Sequence, residues 1–351
     1  PIDFASRGVA SGAECVKCHS GEGFVEVQIR GEEPIFPSTA TPLKRANLKA
    51  PEELSGIGCA TCHTPHETTD PEPGRYGKMS FQLRKTGEAT LITGDKVEAD
   101  KAAICYSCHG GRREDAGYKT EFIKGQRTRG PHGNVQGLIL EGKAGYEYSG
   151  EKYSNSPHTL VAEEKCVTCH MFAQLRVGQN SAGSHSWNMV MPNGTENIKA
   201  CTQAGCHATG SITNFDRKAA ADFDGDGTIE GVQTEVTGLL EKLATKLPKT
   251  STGAVLSSPI NATNTTEAQR KALWNYFLVS NDGSKGIHNT EYTVKLLQTS
   301  YKDLTGQAAG GVATTAPKIP HTLDGRSDCT LCHKVGLSGV GQAGGMGIPD
   351  S

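Results

Sequence analysis

The sequence predicts a mostly irregular, loop-rich fold with α-helices and little β structure. Of the 351 residues, 35% are hydrophobic and 6% aromatic, whereas 43 are glycine and 16 are proline. A chain of this length with so little apolar material is short of what a conventional side-chain core needs. Helical periodicity is confined to the stretch before the last cysteine pair. Something other than side chains must therefore fill much of the interior.

The cysteines indicate what that is. All twelve fall into six pairs, and a histidine directly follows each pair. Five pairs have the spacing C-x-x-C-H, and the sixth holds two extra residues between its cysteines: Cys15-Cys18-His19, Cys59-Cys62-His63, Cys105-Cys108-His109, Cys166-Cys169-His170, Cys329-Cys332-His333 and the longer Cys201-Cys206-His207. This spacing is typical of c-type haem attachment, in which two thiols bond the haem and the histidine takes one axial face of the iron. The sequence predicts six c-type haems, stacked in place of a hydrophobic core.

Paired cysteines have two other common uses, zinc binding and disulfide formation. Zinc also binds thiolates and imidazole, but a structural zinc site needs four ligands, and six half-sites that all end in Cys-His are improbable. Disulfides would leave the recurring histidine unexplained. Haem attachment accounts for every cysteine and for the histidine that follows each pair.

The remaining histidines match the haems in number. Besides the six proximal residues, the chain has six more: His66, His132, His158, His185, His288 and His321. Six haems need six distal ligands, so the equality predicts six bis-histidine, six-coordinate, low-spin irons. Which distal histidine serves which haem stays open.

Local context supports several distal assignments. The run Pro-His-Thr-Leu occurs at 157–160 and at 320–323, and each histidine lies eight residues before a cysteine pair. Such an internal repeat is expected if His158 and His321 serve haems. His66 stands three residues after His63, where it can reach a neighbouring haem, and His288 precedes Asn289, a predicted helix N-cap.

The haem-free stretch before Cys329 predicts three helices. Apolar residues from Val236 to Leu247 recur with helical spacing up to Pro248, Thr266 and Gln269 form a capping box, and a third helix is expected over 290–304. The predicted organisation is a five-haem loop-rich region over 1–215, a helical insertion over 216–310 and a C-terminal haem segment over 311–351.

An acidic loop precedes these helices. It has the D-x-D-x-D-G beginning of an EF-hand calcium loop, but position twelve is Gln233 where a bidentate glutamate is usual. Glu230 or Glu235 can compensate, so one Ca²⁺ is predicted, against the alternative of a solvated acidic turn. The predicted ligands are Asp222, Asp224, Asp226, Thr228 and Glu230.

Charge and hydropathy exclude two classes of partner. The formal net charge is −2 with no basic patch, so nucleic acid is not expected, and no run of 18 apolar residues predicts a membrane span. Covalent haem attachment takes place outside the cytoplasm, so the chain is expected to be exported, and its start at Pro1 fits a processed protein. A cell-surface or extracellular location is favoured, with the periplasm as the alternative.

With its C-x-x-C-H-x-x-H run at 59–66 and its two Pro-His-Thr-Leu-linked motifs, the chain resembles the multihaem c-type cytochromes of anaerobic and metal-reducing bacteria. More narrowly, it is similar to the hexahaem extracellular cytochromes that polymerise into filaments. The resemblance implies closely stacked haems and a head-to-tail homo-oligomer in which a neighbouring subunit supplies a distal histidine. It also implies redox partners among other cytochromes or extracellular electron acceptors.

The expected function is electron transfer, because bis-histidine irons offer no open position to a substrate. No catalytic residue is predicted. One alternative is a multihaem reductase of a small inorganic substrate, of the nitrite, hydroxylamine or tetrathionate type. Such an enzyme needs an open iron, often with lysine in place of the motif histidine, and the sequence has no C-x-x-C-K. A soluble periplasmic electron shuttle is the other alternative.

Overall fold

The computed structural model describes residues 13–31, 56–64, 83–162, 164–172, 175–178, 180–203, 206–208 and 210–311. Helices and loops dominate this part of the chain. The helices are α1 Ala13–His19, α2 Gly21–Phe24 (continued by a π-helical turn, Val25–Ile29), α3 Cys59–Cys62, α4 Ala103–His109, α5 Ala116–Ile123, α6 Gln136–Leu140, α7 His158–Val161, α8 Cys166–His170, α9 Val232–Ala244, α10 Glu267–Asp282 and α11 Thr290–Thr305. The strands are β1 Glu88–Thr90, β2 Lys96–Glu98, β3 Leu175–Val177 and β4 Asn180–Ala182. The predicted fold class, loop-rich with helices and little β structure, is confirmed.

The chain forms two compact units. The first comprises Pro1–Leu91 with Asp95–Gly110, and the second comprises Ile92–Gly94 with Gly111–Ser351. The division predicted from the sequence, at 215 and 310, follows the distribution of haem motifs instead and stays a prediction.

The described part of the first unit has a small apolar core. Its short helices carry the cysteine motifs, and its hairpin pairs β1 with β2 in antiparallel register. Ala89 pairs with Val97 and both are buried, while their neighbours along each strand are exposed. Few large side chains are buried here, chiefly Val16, Phe24, Leu91, Ile104 and Tyr106.

The second unit contains the long helices α9, α10 and α11, which pack on one another. α9 begins at Val232 and ends at Ala244, so the helix stops before it reaches Pro248. The capping box of α10 is present as predicted, and Asn289 caps α11 by accepting from the backbone N–H of Tyr292. Large side chains from α9, α10 and α11 are completely buried, including Leu239, Leu243, Trp274, Leu278 and Tyr292.

Helix α10 also supports the loops that lie on it. The indole Nε1 of Trp274 donates to the carbonyl oxygen of Ala144 at 2.8 Å, and Arg270 Nε donates to that of Ile123 at 2.6 Å. Asn275 exchanges two hydrogen bonds with the backbone of Tyr146, at 2.7 and 2.9 Å. Buried polar side chains thus satisfy backbone groups that a loop-rich fold would otherwise leave unpaired.

No helix within the described residues is both long enough and apolar enough to cross a membrane.

Candidate haem sites

Most of the described cysteine motifs lie on a single helical turn. Those beginning at Cys15, Cys105 and Cys166 lie within α1, α4 and α8, and the motif beginning at Cys59 forms α3 with His63 directly after it. Residues three and four apart share one face of a helix. The two thiols and the imidazole of a C-x-x-C-H run are therefore presented together, as covalent haem attachment requires. None of the ten described cysteines is in a disulfide.

The longer sixth motif keeps one hydrogen bond of the regular motif. In the regular motif of α3, the backbone N–H of His63 donates to the carbonyl of Cys59 at 2.9 Å. In the longer motif, the N–H of His207 donates to the carbonyl of Cys201 at 3.1 Å. The first cysteine and the histidine keep the same hydrogen bond in both motifs. The extra residues are accommodated between them.

Three motifs meet within the first unit. The thiol of Cys18 lies 3.8 Å from the carbonyl oxygen of Ser107, which also accepts from Gln28 Nε2 at 3.1 Å. The pKa of the Cys108 thiol is raised well above its ordinary value, first by its hydrogen bond with Cys18 and then by burial. Burial also raises the pKa of Cys62, and the neighbouring Cys105 adds to this.

Two motifs meet within the second unit. Gln203 donates its side-chain amide to the carbonyl oxygen of Thr168 at 2.9 Å, which joins the longer motif to α8. The pKa of the Cys169 thiol is raised to about 12, chiefly by burial and also by the neighbouring Cys201 and Cys206. A thioether carries no charge, so the burial that disfavours a thiolate does not disfavour a haem-bound sulfur.

Two pairs of histidines face each other in the second unit, and each joins a motif histidine to a non-motif one. The ring centroids of His158 and His207 lie 6.1 Å apart with the rings nearly perpendicular, at 87°. Those of His170 and His288 lie 6.2 Å apart at 48°. Both separations lie within the usual range of ring contacts, about 4.5–7 Å between centroids.

The spacing fits one metal ion held between two imidazoles. Two metal–nitrogen bonds of about 2.0–2.1 Å, together with the distance from each nitrogen to its ring centre, separate the centroids by roughly 6 Å. Both pairs match this value. The donors present therefore fit a haem iron with a histidine on each axial face.

The outer ring nitrogens of these histidines are held by hydrogen bonds. A ligating imidazole usually donates its other N–H to a carbonyl or carboxylate, which fixes the ring and presents Nε2 to the metal. Four histidines here have a defined Nδ1 partner: His158 with the Ile287 carbonyl at 2.8 Å, His170 with the Trp187 carbonyl at 2.8 Å, His132 with Asn134 Oδ1 at 2.9 Å and His288 with Asp282 Oδ1 at 2.6 Å.

Electrostatics keep most of these rings neutral. Burial lowers the pKa of His132, His158 and His207, and neutral imidazole is the form that binds metal. For His288, burial alone would lower the pKa, but the charge and hydrogen bond of Asp282 outweigh it and the pKa is raised.

A cation lies beside one histidine pair. The Arg217 guanidinium is half-buried, and its charge lowers the pKa values of both His158 and His207. Burial lowers the pKa of Arg217 itself, and no carboxylate within the described residues pairs with it.

Two other predicted distal ligands, His132 and His185, lie in loops of the second unit. His132 follows Pro131 in a loop and is half-buried, and His185 lies in the short 3-10 turn Ser184–Ser186. Their role as distal ligands stays a prediction. The remaining predicted residues lie outside the described part of the chain: His66, His321, Cys329, Cys332 and His333.

The acidic loop brings its three aspartates together. Carboxylate oxygens of Asp222, Asp224 and Asp226 lie within 4.8 Å of one another. Asp222 accepts from the backbone N–H groups of residues 225, 226 and 227, as is usual in a tight turn. Glu230 has one buried carboxylate oxygen with no hydrogen-bond partner, whereas Thr228 is exposed.

Glu235, which the sequence offers only as an alternative calcium ligand, stabilises this loop by hydrogen bonds to its backbone. It is completely buried, and its carboxylate accepts from the N–H groups of Phe223, Asp224 and Glu230. The sequence also gave no sign of Asp282, whose contact with His288 depends on how the chain turns between α10 and α11.

Five attachment motifs are thus described, and two histidine pairs have the spacing of a bis-ligated iron. The chain resembles a multihaem c-type cytochrome. No protein-family model matches it, and no curated protein is significantly similar to it. Among solved structures, the crystal structure of the outer cell wall cytochrome OcwA is similar, with a TM-score of 0.48 and 22% sequence identity over 86% of this chain. The match covers 48% of that cytochrome, so this chain spans about half its length.

Proposed function

We propose that the protein is an electron carrier built on six bis-histidine c-type haems. The observation that carries the proposal is the two pairs of opposed histidines, with ring centroids 6.1 and 6.2 Å apart, each of which joins a proximal to a distal candidate. In this assignment His288 serves the haem of the 166–170 motif, and His158 serves the haem of the 201–207 motif. A haem iron bound in this way takes up and releases one electron at a time.

The protein side chains would fix the imidazole rings and leave the iron no free position for a substrate. Each of the two distal rings is fixed through Nδ1, so its Nε2 stays directed at one position. A second imidazole on the opposite face leaves no axial position for a substrate. This arrangement favours electron transfer over a reductase, which would require one open iron.

Arg217 supports the assignment of the 201–207 haem. A haem brings two propionates, and a guanidinium without a carboxylate partner is suited to pair with one of them. We propose that Arg217 takes this role beside the His158–His207 pair.

The spin state of the iron tests the function directly. The holoprotein is examined by EPR in the ferric form and by carbon monoxide binding in the ferrous form, after a haem count. Six haems with purely low-spin signals and no carbonyl complex are expected. A high-spin component, with one haem that binds carbon monoxide, would favour the reductase alternative and contradict six closed irons.

A histidine variant tests the ligand assignment. His158→Ala is expected to open one iron, so that one of the six ferrous haems binds carbon monoxide. Leu160→Ala is the matched control, because Leu160 lies on the same short helix and is 61% exposed. If His158→Ala bound no carbon monoxide while all six haems were retained, another ligand would have to occupy that face.

We further propose that the protein works at or outside the cell surface and assembles head to tail into a filament. The support is its likeness to the polymerising hexahaem cytochromes, and heterologous contacts of this kind generate open helical assemblies. Light scattering and electron microscopy of the holoprotein test the proposal. A monodisperse monomer at all concentrations would favour the soluble shuttle.

We also propose that the acidic loop binds one Ca²⁺. Three carboxylates within 4.8 Å and the unpartnered oxygen of Glu230 supply oxygen ligands of the kind that Ca²⁺ prefers. The test is the thermal midpoint of the holoprotein with Ca²⁺, with Mg²⁺ and with chelator. A rise specific to Ca²⁺, abolished by Asp226→Asn, is expected, whereas equal midpoints in all three would mean a solvated acidic turn.

A further inference from the structure

We propose that Asp282 is a positioning residue that lowers the reduction potential of the haem of the 166–170 motif. The inference rests on the proposed function, because it assumes that His288 and His170 share that iron. It concerns the one distal histidine whose Nδ1 meets a carboxylate. The consequence is a difference in potential between haems with the same ligand type.

Asp282 is buried, and hydrogen bonds hold both of its carboxylate oxygens. Asp282 is the last residue of α10, and its side chain is only 2% exposed. Its Oδ1 lies 2.6 Å from His288 Nδ1, and its Oδ2 accepts from the Ser284 hydroxyl at 2.5 Å. The Ser284 hydroxyl oxygen in turn accepts from the backbone N–H of His288 at 3.1 Å. Both carboxylate oxygens are therefore fixed, and the imidazole cannot turn without breaking this ring of contacts.

A carboxylate acts differently from the partners of the other histidines. His158 and His170 donate to backbone carbonyls, and His132 faces a side-chain amide. Only His288, among these four, faces an anion. A carboxylate draws the Nδ1 proton toward itself, makes Nε2 a stronger electron donor and so stabilises ferric over ferrous iron. Burial strengthens the effect because little water screens the pair.

The loop that carries His288 is fixed as well. Gly283, Lys285 and Gly286 adopt positive φ angles of 74°, 51° and 91°, which give the tight path from α10 to α11. A Cβ on Gly286 would lie 2.9 Å from a methyl carbon of Val236, so the loop packs closely on α9. Backbone strain and close packing both leave the ring–carboxylate distance little freedom.

The experiment is redox titration of the holoprotein carrying Asp282→Asn. An asparagine keeps the size and can still accept from Nδ1, but it removes the charge. One midpoint of the six is expected to rise, with about a tenfold change in that haem's ferric-to-ferrous equilibrium, which is 59 mV for a one-electron couple. The other five midpoints stay in place, one low-spin EPR signal shifts, and Asp282→Glu restores part of the change.

Ser284→Ala gives an independent test of opposite sign. The serine hydroxyl stabilises the Asp282 anion, so its removal makes the carboxylate a stronger acceptor from His288. The same midpoint is expected to fall. If Asp282→Asn loosens His288 and lets one haem bind carbon monoxide, Ser284→Ala still tests the role of Asp282.

The two failures are distinguishable. If the unmodified protein shows fewer than six low-spin haems, the proposed function fails before any variant is made. If it shows six, and neither Asp282→Asn nor Ser284→Ala moves a midpoint while all haems stay low-spin, the role of Asp282 is overturned and the ligand assignment survives.

Discussion

At the scale of single residues, two buried carboxylates stabilise the turns of the chain that surround them. Glu235 and Asp282 are both buried, and each accepts several hydrogen bonds from one turn of the chain. A buried carboxylate is stable only with such partners, because an unpaired charge cannot be accommodated in a low-dielectric interior. Each acid therefore fixes the backbone that surrounds it, one below the acidic loop and one beside a histidine.

Glu235→Gln is expected to lower the free energy of unfolding by about 1–3 kcal/mol, because the amide NH₂ then faces a backbone N–H donor inside the protein. Urea denaturation followed by circular dichroism measures it. Glu241→Gln is the control on the same helix, where the side chain is exposed, and should change the free energy by less than about 0.5 kcal/mol. Equal effects of the two variants would contradict the role given to Glu235.

Arg217→Gln is expected to lower one haem midpoint and leave the others unchanged. Removal of a positive charge beside the His158–His207 pair makes the ferrous state less favourable. Redox titration of the holoprotein gives the result, and Arg217→Lys should retain part of the original midpoint. An unchanged midpoint in Arg217→Gln would mean that this arginine does not pair with the haem.

At the scale of elements, the two helix caps of α10 and α11 differ in what they hold. Thr266 closes an exposed capping box. Asn289 is completely buried and does more than cap α11: its Oδ1 also accepts from the N–H of Ser156 at 2.9 Å, and its Nδ2 donates to the Ile139 carbonyl at 3.1 Å. Asn289 thus joins the start of α11 to α6 and to the segment before His158.

Because the two caps differ, Thr266→Ala and Asn289→Ala are expected to have different effects. Thr266→Ala should cost about 1 kcal/mol of stability and leave all irons low-spin. Asn289→Ala should cost about 2–4 kcal/mol, because a cap is lost and buried groups are left unpaired, and it should raise the high-spin fraction. Denaturation curves and EPR of the two holoproteins give the comparison. A fully low-spin Asn289→Ala protein would limit Asn289 to a structural role.

At the scale of the whole molecule, the two units differ in what fills them. The described part of the second unit buries large side chains such as Trp274, Tyr292 and Leu278, whereas the described part of the first unit buries few large side chains. Haem supplies the missing apolar material only once it is attached. The units should therefore depend on haem to different degrees.

A chain expressed without haem attachment is expected to be digested rapidly within residues 13–31 and 83–110 and slowly within the three helices of residues 232–305. Limited proteolysis with mass spectrometry reads the cleavage sites, and the holoprotein is the control, in which both regions should resist. Equal digestion of the two regions in the haem-free chain would mean that the helices too depend on haem.

The sequence predicted the elements that depend on local rules. The helix caps at Thr266 and Asn289 follow from neighbours a few residues apart, and the structure has them. The short helices of the cysteine motifs, in a region predicted to be loop-rich, were not predicted. The contact of Asp282 with His288 depends on the turn between two helices, and the opposed histidines depend on where residues 49 and 118 positions apart in the sequence lie in the fold. Count and spacing predict six distal ligands, but only tertiary structure brings His170 to His288.

One peptide unit links the two distal candidates that face a motif histidine. The Ile287 carbonyl accepts from His158, and the next residue is His288 itself. Any backbone shift in this loop would tilt the two imidazoles together, so the two proposed irons could not be adjusted separately by moving the chain. A separate adjustment would have to come from a side chain that touches one ring only. Asp282 touches His288 alone among the two rings, so a substitution there is the one expected to change a single potential.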